Sequence, residues 1–432
     1  MSELHILMNA EHIGTLTGRG TAVRVSYDRD LDPATAVPLS LSMPLERNRH
    51  RGTPVHNWLS ALLPDRPPLL TRWRRDFGVT DSNPESLLAH IGEDVAGAAQ
   101  FVRDDRLEAN MGRTGTLHRL SDDDIAGLAI AAKQDSLPYD PDTSTGQFSL
   151  AGAQAKFALQ KLDDGWALPA GAEPSTHIFK PAIPGLEDQG VGEAATMRIA
   201  AKVGLPVART FITEFAGQRV IGVERYDRAR DDAGRWWRVH QEDLCQCYGH
   251  DPLHKYESQG GPGVTRCAAL IREFGNERDV ETFARAIIFN YLTKGSDAHA
   301  RNYSMLLTPG DVRLAPLYDL NSTLLFGETA EARTLAMRIG GEDRLDSISL
   351  GNWKLFASEV KLDEAWVLHQ VQTMAAAIPS AAADVCAQPD LAAIAPKALH
   401  RLAERCTQWA SRASAQSLGG PRASLPGYRR RA

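Results

Sequence analysis

The sequence predicts an α+β fold in two lobes, with a β-rich subdomain at the N-terminus and a largely helical C-terminal lobe. Its 432 residues are too many for one simple core, and 43% of them are apolar, enough to fill more than one. The residues up to Tyr27 run in short apolar segments broken by Asn9, Gly18 and Gly20, the mark of an antiparallel meander. Beyond Asp227 the chain turns mainly to helical patterns.

Taken in order, residues 4–8, 12–16 and 21–27 read as strands, and residues 55–63, 69–77 and 84–91 as helices, the last preceded by the capping-type Ser82 and Asn83. Residues 94–102 return to strand. Ser121 followed by Asp122, Asp123 and Asp124 opens a short helix, because a serine N-cap and first-turn acids both stabilise exposed amides. Residues 136–146, rich in Pro, Asp, Ser and Thr, read as a linker. Strands at 157–161 and 166–168 flank an Asp-Gly turn, a strand follows at 177–180, then a helix at 192–203 that stops at Gly204. A hairpin at 209–215 and 219–225 turns on Ala216 and Gly217. Further helices are predicted at 241–248, 264–274, 280–292, 362–377 and 391–412, and residues 413–432 read as a mobile tail.

The formal charge of -6 argues against a bulk polyanion binder, leaving local basic clusters such as Arg47, Arg49, His50 and Arg51 as contact points. The five cysteines (Cys245, Cys247, Cys267, Cys386, Cys406) lack the paired spacing of a structural zinc site and read as reduced thiols. Cys245 and Cys247 fall in a predicted helix, where residues two apart do not share a face. The N-terminus has no basic and apolar leader, and no run of about eighteen apolar residues occurs, so a cytoplasmic protein with no membrane association is expected.

The informative segment is residues 294–320. Asp297 and Asn302 stand in D-x-x-x-x-N spacing, the arrangement in which a kinase loop offers a base to an acceptor hydroxyl and an amide oxygen to magnesium. A hairpin at 303–307 and 312–315 then returns a second acid, Asp319. Phosphoryl transfer needs ligand oxygens that hold magnesium against the phosphates and a carboxylate near the nucleophile, and these residues supply both. Taken alone, each aspartate could as well cap a turn. Lys180, ending an apolar strand, would bring a cation to the phosphates, and Glu193, opening the next helix, would pair with it. There is no GxGxxG and no Walker A sequence. Ser149 is followed by Leu150, Ala151, Gly152, Ala153, Gln154, Ala155 and Lys156, a loop whose one glycine lets backbone amides approach a phosphate while Lys156 adds charge.

The ordered segments FSLAGAQAKFAL, THIFKP, VERYDR, HQEDLCQ, GSDAHARN and PLYDL, within residues 148–320, resemble the motif set of the HipA family of serine/threonine kinase toxins. LSLSMPL (39–45), LLPD (62–65) and GEDVAGAAQ (92–100) resemble that family's N-terminal domain. The resemblance implies a two-lobed protein-kinase-like fold that uses ATP and Mg2+. It makes Asp297 the base, Asn302 and Asp319 the metal ligands, Lys180 a phosphate contact, and residues 150–156 the phosphate loop. Glu224, Arg225 and Tyr226 become a hinge whose backbone reads adenine, His299 and Tyr318 supporting residues, and Ser149 an autophosphorylated serine. It further implies a HipB-like helix-turn-helix antitoxin partner, operator DNA reached through that antitoxin, and a protein substrate in translation, an aminoacyl-tRNA synthetase foremost. The sequence departs from some relatives at Ala155 and Phe157.

The expected organisation is therefore an N-terminal β-rich subdomain at 1–105, a helix and linker at 106–146, nucleotide-binding small-lobe elements at 147–227, a helical catalytic lobe at 228–415, and a tail at 416–432. A small-molecule or lipid kinase on the same fold, or a silent scaffold for antitoxin and DNA, are the competing readings.

Overall fold

The computed structural model describes residues 3–137, 148–326 and 333–419. The expected meander is present: strands Leu4–Met8, Glu11–Thr17 and Arg24–Tyr27 pair antiparallel in sequence order. Arg49–Arg51 extends the sheet on one side, and Ala99–Arg103 pairs with the first strand on the other. Helices Thr53–Ala61, Pro67–Asp76 and Pro84–Ile91 each carry a proline in the first turn, where its missing amide hydrogen leaves no gap. Their buried Trp58, Leu59 and Leu88 meet Ile6, Leu16, Val25 and Phe101 in a core separate from the rest. The strand expected from residue 94 begins only at Ala99, because residues 94–97 turn into a seam with the following lobe.

The small lobe is a six-stranded sheet in the spatial order Thr210–Phe215, Gln218–Glu224, His177–Pro181, Phe157–Leu162, Gly165–Gly171 and Gly115–Leu120. The last strand corrects the expectation of only a helix and linker over 106–146. Gly115–Leu120 is exposed or half-exposed along its length and shows no apolar alternation, so only pairing with Gly165–Gly171 fixes it as a strand. Helix Asp122–Lys133 has the reciprocal Ser121 and Asp124 cap that its sequence promised. Its buried Ile125, Ala129 and Ala132 pack on Phe157, Phe179 and Phe215. Most of the predicted linker, residues 138–146, lies outside the described residues, as do residue 147 and residues 420–432 of the tail.

Helix Gln189–Lys202 joins the same core as the C-terminal helices Val264–Phe274, Glu277–Thr293, Leu350–Val360, Glu364–Cys386 and Pro396–Ser417. The helix predicted over 241–248 is a second correction. His240–Asp243 is a strand paired with Ser304–Thr308, and only the single turn Leu244–Cys247 is helical, opened by a reciprocal Asp243 and Gln246 cap. The strand is decided by a partner far along the chain, which local sequence does not carry. The expected hairpin Ser304–Thr308 with Asp311–Leu314 completes this small sheet. All five cysteines are free and buried. No helix among the described residues is long and apolar enough to cross a membrane.

Candidate active site

Lys180 lies on the inner strand His177–Pro181 and Glu193 in the first half of helix Gln189–Lys202. The ammonium is 2.7 Å from Glu193 Oε1 and 2.8 Å from Asp319 Oδ1. Asp319 is delivered by a loop laced to the small lobe: the Leu317 amide donates to the Pro206 carbonyl at 2.9 Å, and the Ala208 amide donates to Leu317 at 2.8 Å. Asp319 itself has a left-handed backbone, φ 57°. Such a conformation persists in a non-glycine residue only where its surroundings over-determine it, and it clusters at functional sites.

Burial alone would lower the Lys180 pKa, but Asp319 and then Glu193 outweigh it and hold the lysine above its usual range. The same contacts act on Asp319, where burial is outweighed by Lys180 and Lys156 and the carboxyl falls to about 2. Asp319 still keeps 40% of its side chain exposed to the cleft, so the charge is formed where a ligand can reach it. Glu193, fully buried, is pushed up by burial against the pull of Lys180, and its second oxygen has no hydrogen-bond partner among the described residues.

Helix Glu277–Thr293 ends at Lys294 in a left-handed turn, and the Gly295 amide bonds back to Asn290. The loop then tightens on itself, with the His299 amide donating to Asp297 and the Asn302 amide to His299, each at 2.9 Å. Asp297 reaches the surface of the cleft, where Tyr256 donates its hydroxyl to Oδ1 at 2.6 Å. Enclosure raises the Asp297 pKa, and the Tyr256 hydrogen bond and Lys255 pull it down against Asp319. Asn302 is buried, and its Oδ1 has no partner among the described residues. His299 is also buried, with Nδ1 unpartnered, and burial followed by Lys255 and Arg301 drops its pKa to about 3, so the ring is neutral. Tyr318 donates to the Arg301 carbonyl at 2.8 Å and stacks obliquely on Tyr226, 5.7 Å between centroids.

The loop at 149–156 folds under this cluster. Gly152 has φ 106°, and a Cβ there would meet Lys156 Nζ at 2.7 Å, so the turn requires glycine. Lys156 donates to the Ala151 carbonyl, and burial with the nearby Lys180 lowers its pKa to about 8. Ser149 is elsewhere: fully buried, its hydroxyl donates to the Leu62 carbonyl at 2.8 Å. In the expected hinge, the Glu224 and Arg225 amides donate to Arg209 and Thr176, both at 2.9 Å. The Tyr226 amide donates to no group among the described residues. The Arg225 side chain points into the seam, where it pairs with Asp227 at 2.8 Å.

A magnesium nucleotide fits this donor set. Two hard oxygens are available, the orphaned Asn302 Oδ1 and Asp319, the latter beside Lys180 and Lys156, and magnesium takes few protein ligands because phosphates and water complete its shell. Accordingly, no cluster of three or more His, Cys, Asp or Glu that could hold a metal is found among the described residues. A cavity of about 430 Å³ between Asn9, Gln160 and Trp236 is lined by none of these residues. Sequence reading missed Tyr256, Lys255 and Asp65, which surround Asp297 and Arg301. Arg301 reaches Asp65 at 2.8 Å and Lys255 reaches it at 3.3 Å. No local periodicity marks them, and only the fold brings 65, 255 and 301 together.

Residues 4–102 match the family model described as the HipA N-terminal domain, and residues 148–382 match the HipA-like C-terminal domain. The chain is 36% identical over 337 residues to Y4mE of Sinorhizobium fredii, named as a candidate kinase, covering 76% of this chain and 78% of that one. It is 29% identical over 400 residues to the serine/threonine-protein kinase toxin HipA of Shewanella oneidensis, covering 86% and 87%. The solved complex of Shewanella oneidensis HipA with HipB and operator DNA superposes with a TM-score of 0.79 at 26% identity, over 96% of this chain and 98% of that one. The two lobes are thus those of a kinase-like fold carrying an N-terminal β-rich subdomain, and the chain belongs to the HipA family.

Proposed function

We propose that this protein is an ATP- and Mg2+-dependent serine/threonine protein kinase of the toxin type. The observation that carries the reading is the Lys180 ammonium held between Glu193 at 2.7 Å and Asp319 at 2.8 Å. Bound MgATP supplies the electrophilic phosphoryl group and the charge that neutralises it. Asp319 and Asn302 hold the metal. Lys180, Lys156 and the amides of residues 150–156 hold the phosphates, and Glu193 keeps Lys180 aimed. The Tyr226 amide reads the adenine edge, beside the Tyr226 and Tyr318 rings. Asp297 accepts the acceptor hydroxyl's proton as its oxygen bonds to the γ-phosphorus and the bond from that phosphorus to the ADP leaving group breaks, and a carboxyl raised by enclosure is the better base for it.

By likeness to the HipA, HipB and operator DNA complex, we assign a HipB-like antitoxin as partner, with operator DNA bound through it. The family resemblance supports a cytoplasmic acceptor in translation, an aminoacyl-tRNA synthetase foremost. Phosphorylation at Ser149 would require residues 149–156 to leave their seat, since the hydroxyl is fully buried against Leu62.

Incubation with γ-labelled ATP and cell extract tests the activity. Label should pass to protein serine or threonine in the presence of magnesium, and a chelator or Asp319→Asn should abolish it. Labelling that survives both would overturn the metal assignment, and no labelling by the wild type under any condition would overturn the kinase reading.

A further inference from the structure

The carboxylate read as the base is not waiting bare. Tyr256 donates to Asp297 Oδ1 at 2.6 Å, the type of bond an acceptor hydroxyl must make to the same group before transfer. The Tyr256 ring stands edge-on to His299, 5.0 Å between centroids, and so closes the side of Asp297 next to that residue. Burial and then the Asp297 bond raise the phenol's pKa well above its usual range, so it remains a proton donor at any working pH.

The segment that carries Tyr256 is short and lies mostly at the surface. Two short 3-10 turns, Pro252–His254 and Glu257–Gln259, flank it, and the chain leaves through a left-handed Gly260, φ 89°. Leu253 is 75% exposed, and Ser258, Gln259 and Gly260 are exposed as well, so Pro252 and the half-buried Tyr256 ring are the main apolar area to return to water if the segment lifts. Its ties include Lys255 to Asp65 at 3.3 Å, the Arg338 amide to Glu257 at 2.7 Å, His250 to the His254 carbonyl at 3.0 Å, and the buried Pro252.

We propose that Tyr256 is a stand-in acceptor, whose hydroxyl occupies the substrate's place on Asp297 and must be displaced by an incoming seryl or threonyl hydroxyl. The inference rests on the kinase reading and adds to it a gate on the acceptor side. In the resting enzyme the phenol holds the base against water, which limits wasteful ATP hydrolysis. Docking of a protein acceptor moves residues 252–260 aside, and the substrate's O–H takes over the hydrogen bond.

The test is Tyr256→Phe, which keeps the ring packed on His299 and removes only the hydroxyl. With dephosphorylated casein as acceptor, kcat/KM should rise roughly tenfold through a lower KM, the factor expected when a competing hydrogen bond to a charged group is removed. ADP formation without casein should rise in parallel. Melting temperature checks the fold. A fall in kcat, or an unchanged kcat/KM, would show instead that Tyr256 positions Asp297 or does nothing. Phosphate found on Tyr256 of the wild type by mass spectrometry would make it a true acceptor and overturn the stand-in. ATP turnover in the wild type with no change in the variant sinks this inference alone, whereas absence of any turnover in the wild type sinks the kinase reading and this one with it.

Discussion

The charged cluster around Arg225 and the one around Lys180 are made of the same kinds of side chain and differ in what is left over. In the first, Arg225 pairs with Asp227 at 2.8 Å, Arg228 pairs with Asp94 at 2.9 Å, and Ser175 and the Gly97 amide complete the two carboxylates. Burial would raise the Asp227 pKa, but Arg225 and Arg228 drive it far below the carboxylate range. Arg238, at the edge, is the exception, with the Ala172 carbonyl at 2.9 Å and a looser 3.5 Å contact to Asp94. In the second cluster, Glu193 keeps an unpartnered oxygen and Asp319 leaves 40% of its side chain exposed. A buried ionic cluster whose acceptors are all engaged can only hold the chain together. One with spare oxygens beside fixed cations can take a ligand, and the leftover valence separates a structural network from a chemical one.

Three measurements press on that contrast. The largest effect should come from Asp297→Asn, which removes the base but no packing: phosphoryl transfer should fall by about 10²–10⁴, with melting near wild type. A variant that retains transfer would detach Asp297 from the chemistry. Arg228→Met strikes the saturated cluster and should behave in the opposite way. It leaves Asp94 and Asp227 buried and under-paired, at a cost of about 3–5 kcal/mol in urea unfolding, while the folded fraction binds ATP as before. If stability holds and ATP binding is lost, the seam belongs to the site after all.

The smallest effect concerns Lys156, whose pKa burial and Lys180 bring to about 8. A bound triphosphate favours the charged form and raises that pKa. ATP affinity should therefore be level below pH 8 and fall as pH rises through it, by at most about tenfold per unit, with proton uptake on binding. Lys156→Met should flatten the profile, and a flat wild-type profile by calorimetry would remove Lys156 from the phosphate contacts.

What the sequence revealed depended on how local the signal was. The Ser121 and Asp124 cap, the Asp-Gly turn before Gly165, and the limits of helix Val264–Phe274 are written within a few residues of themselves. Lys180, Glu193 and Asp319 could be chosen by residue type and order, and the fold brings them within hydrogen-bond distance. His240–Asp243 and Gly115–Leu120 could not be read as strands, since what makes them so is a partner elsewhere in the chain. Tyr256 was hidden for the same reason: nothing near a tyrosine in a glycine-rich loop announces that it will meet Asp297.

Gly97 bears on how the family's parts can be exchanged. It has φ 82°, and a Cβ there would meet the Gln241 amide nitrogen at 2.8 Å, so the N-terminal unit touches the following lobe backbone against backbone. Nearby, Trp58 and the Leu41 amide donate to Glu242 at 2.9 and 2.7 Å. The two matched regions, 4–102 and 148–382, are thus separate in sequence and continuous in matter. A chimaera joining the N-terminal unit of one relative to the lobes of another would have to match Asp94, Gly97 and Trp58 to Arg228, Gln241 and Glu242 as a set. Without that match, the graft would leave Arg228 or Asp94 buried without its partner.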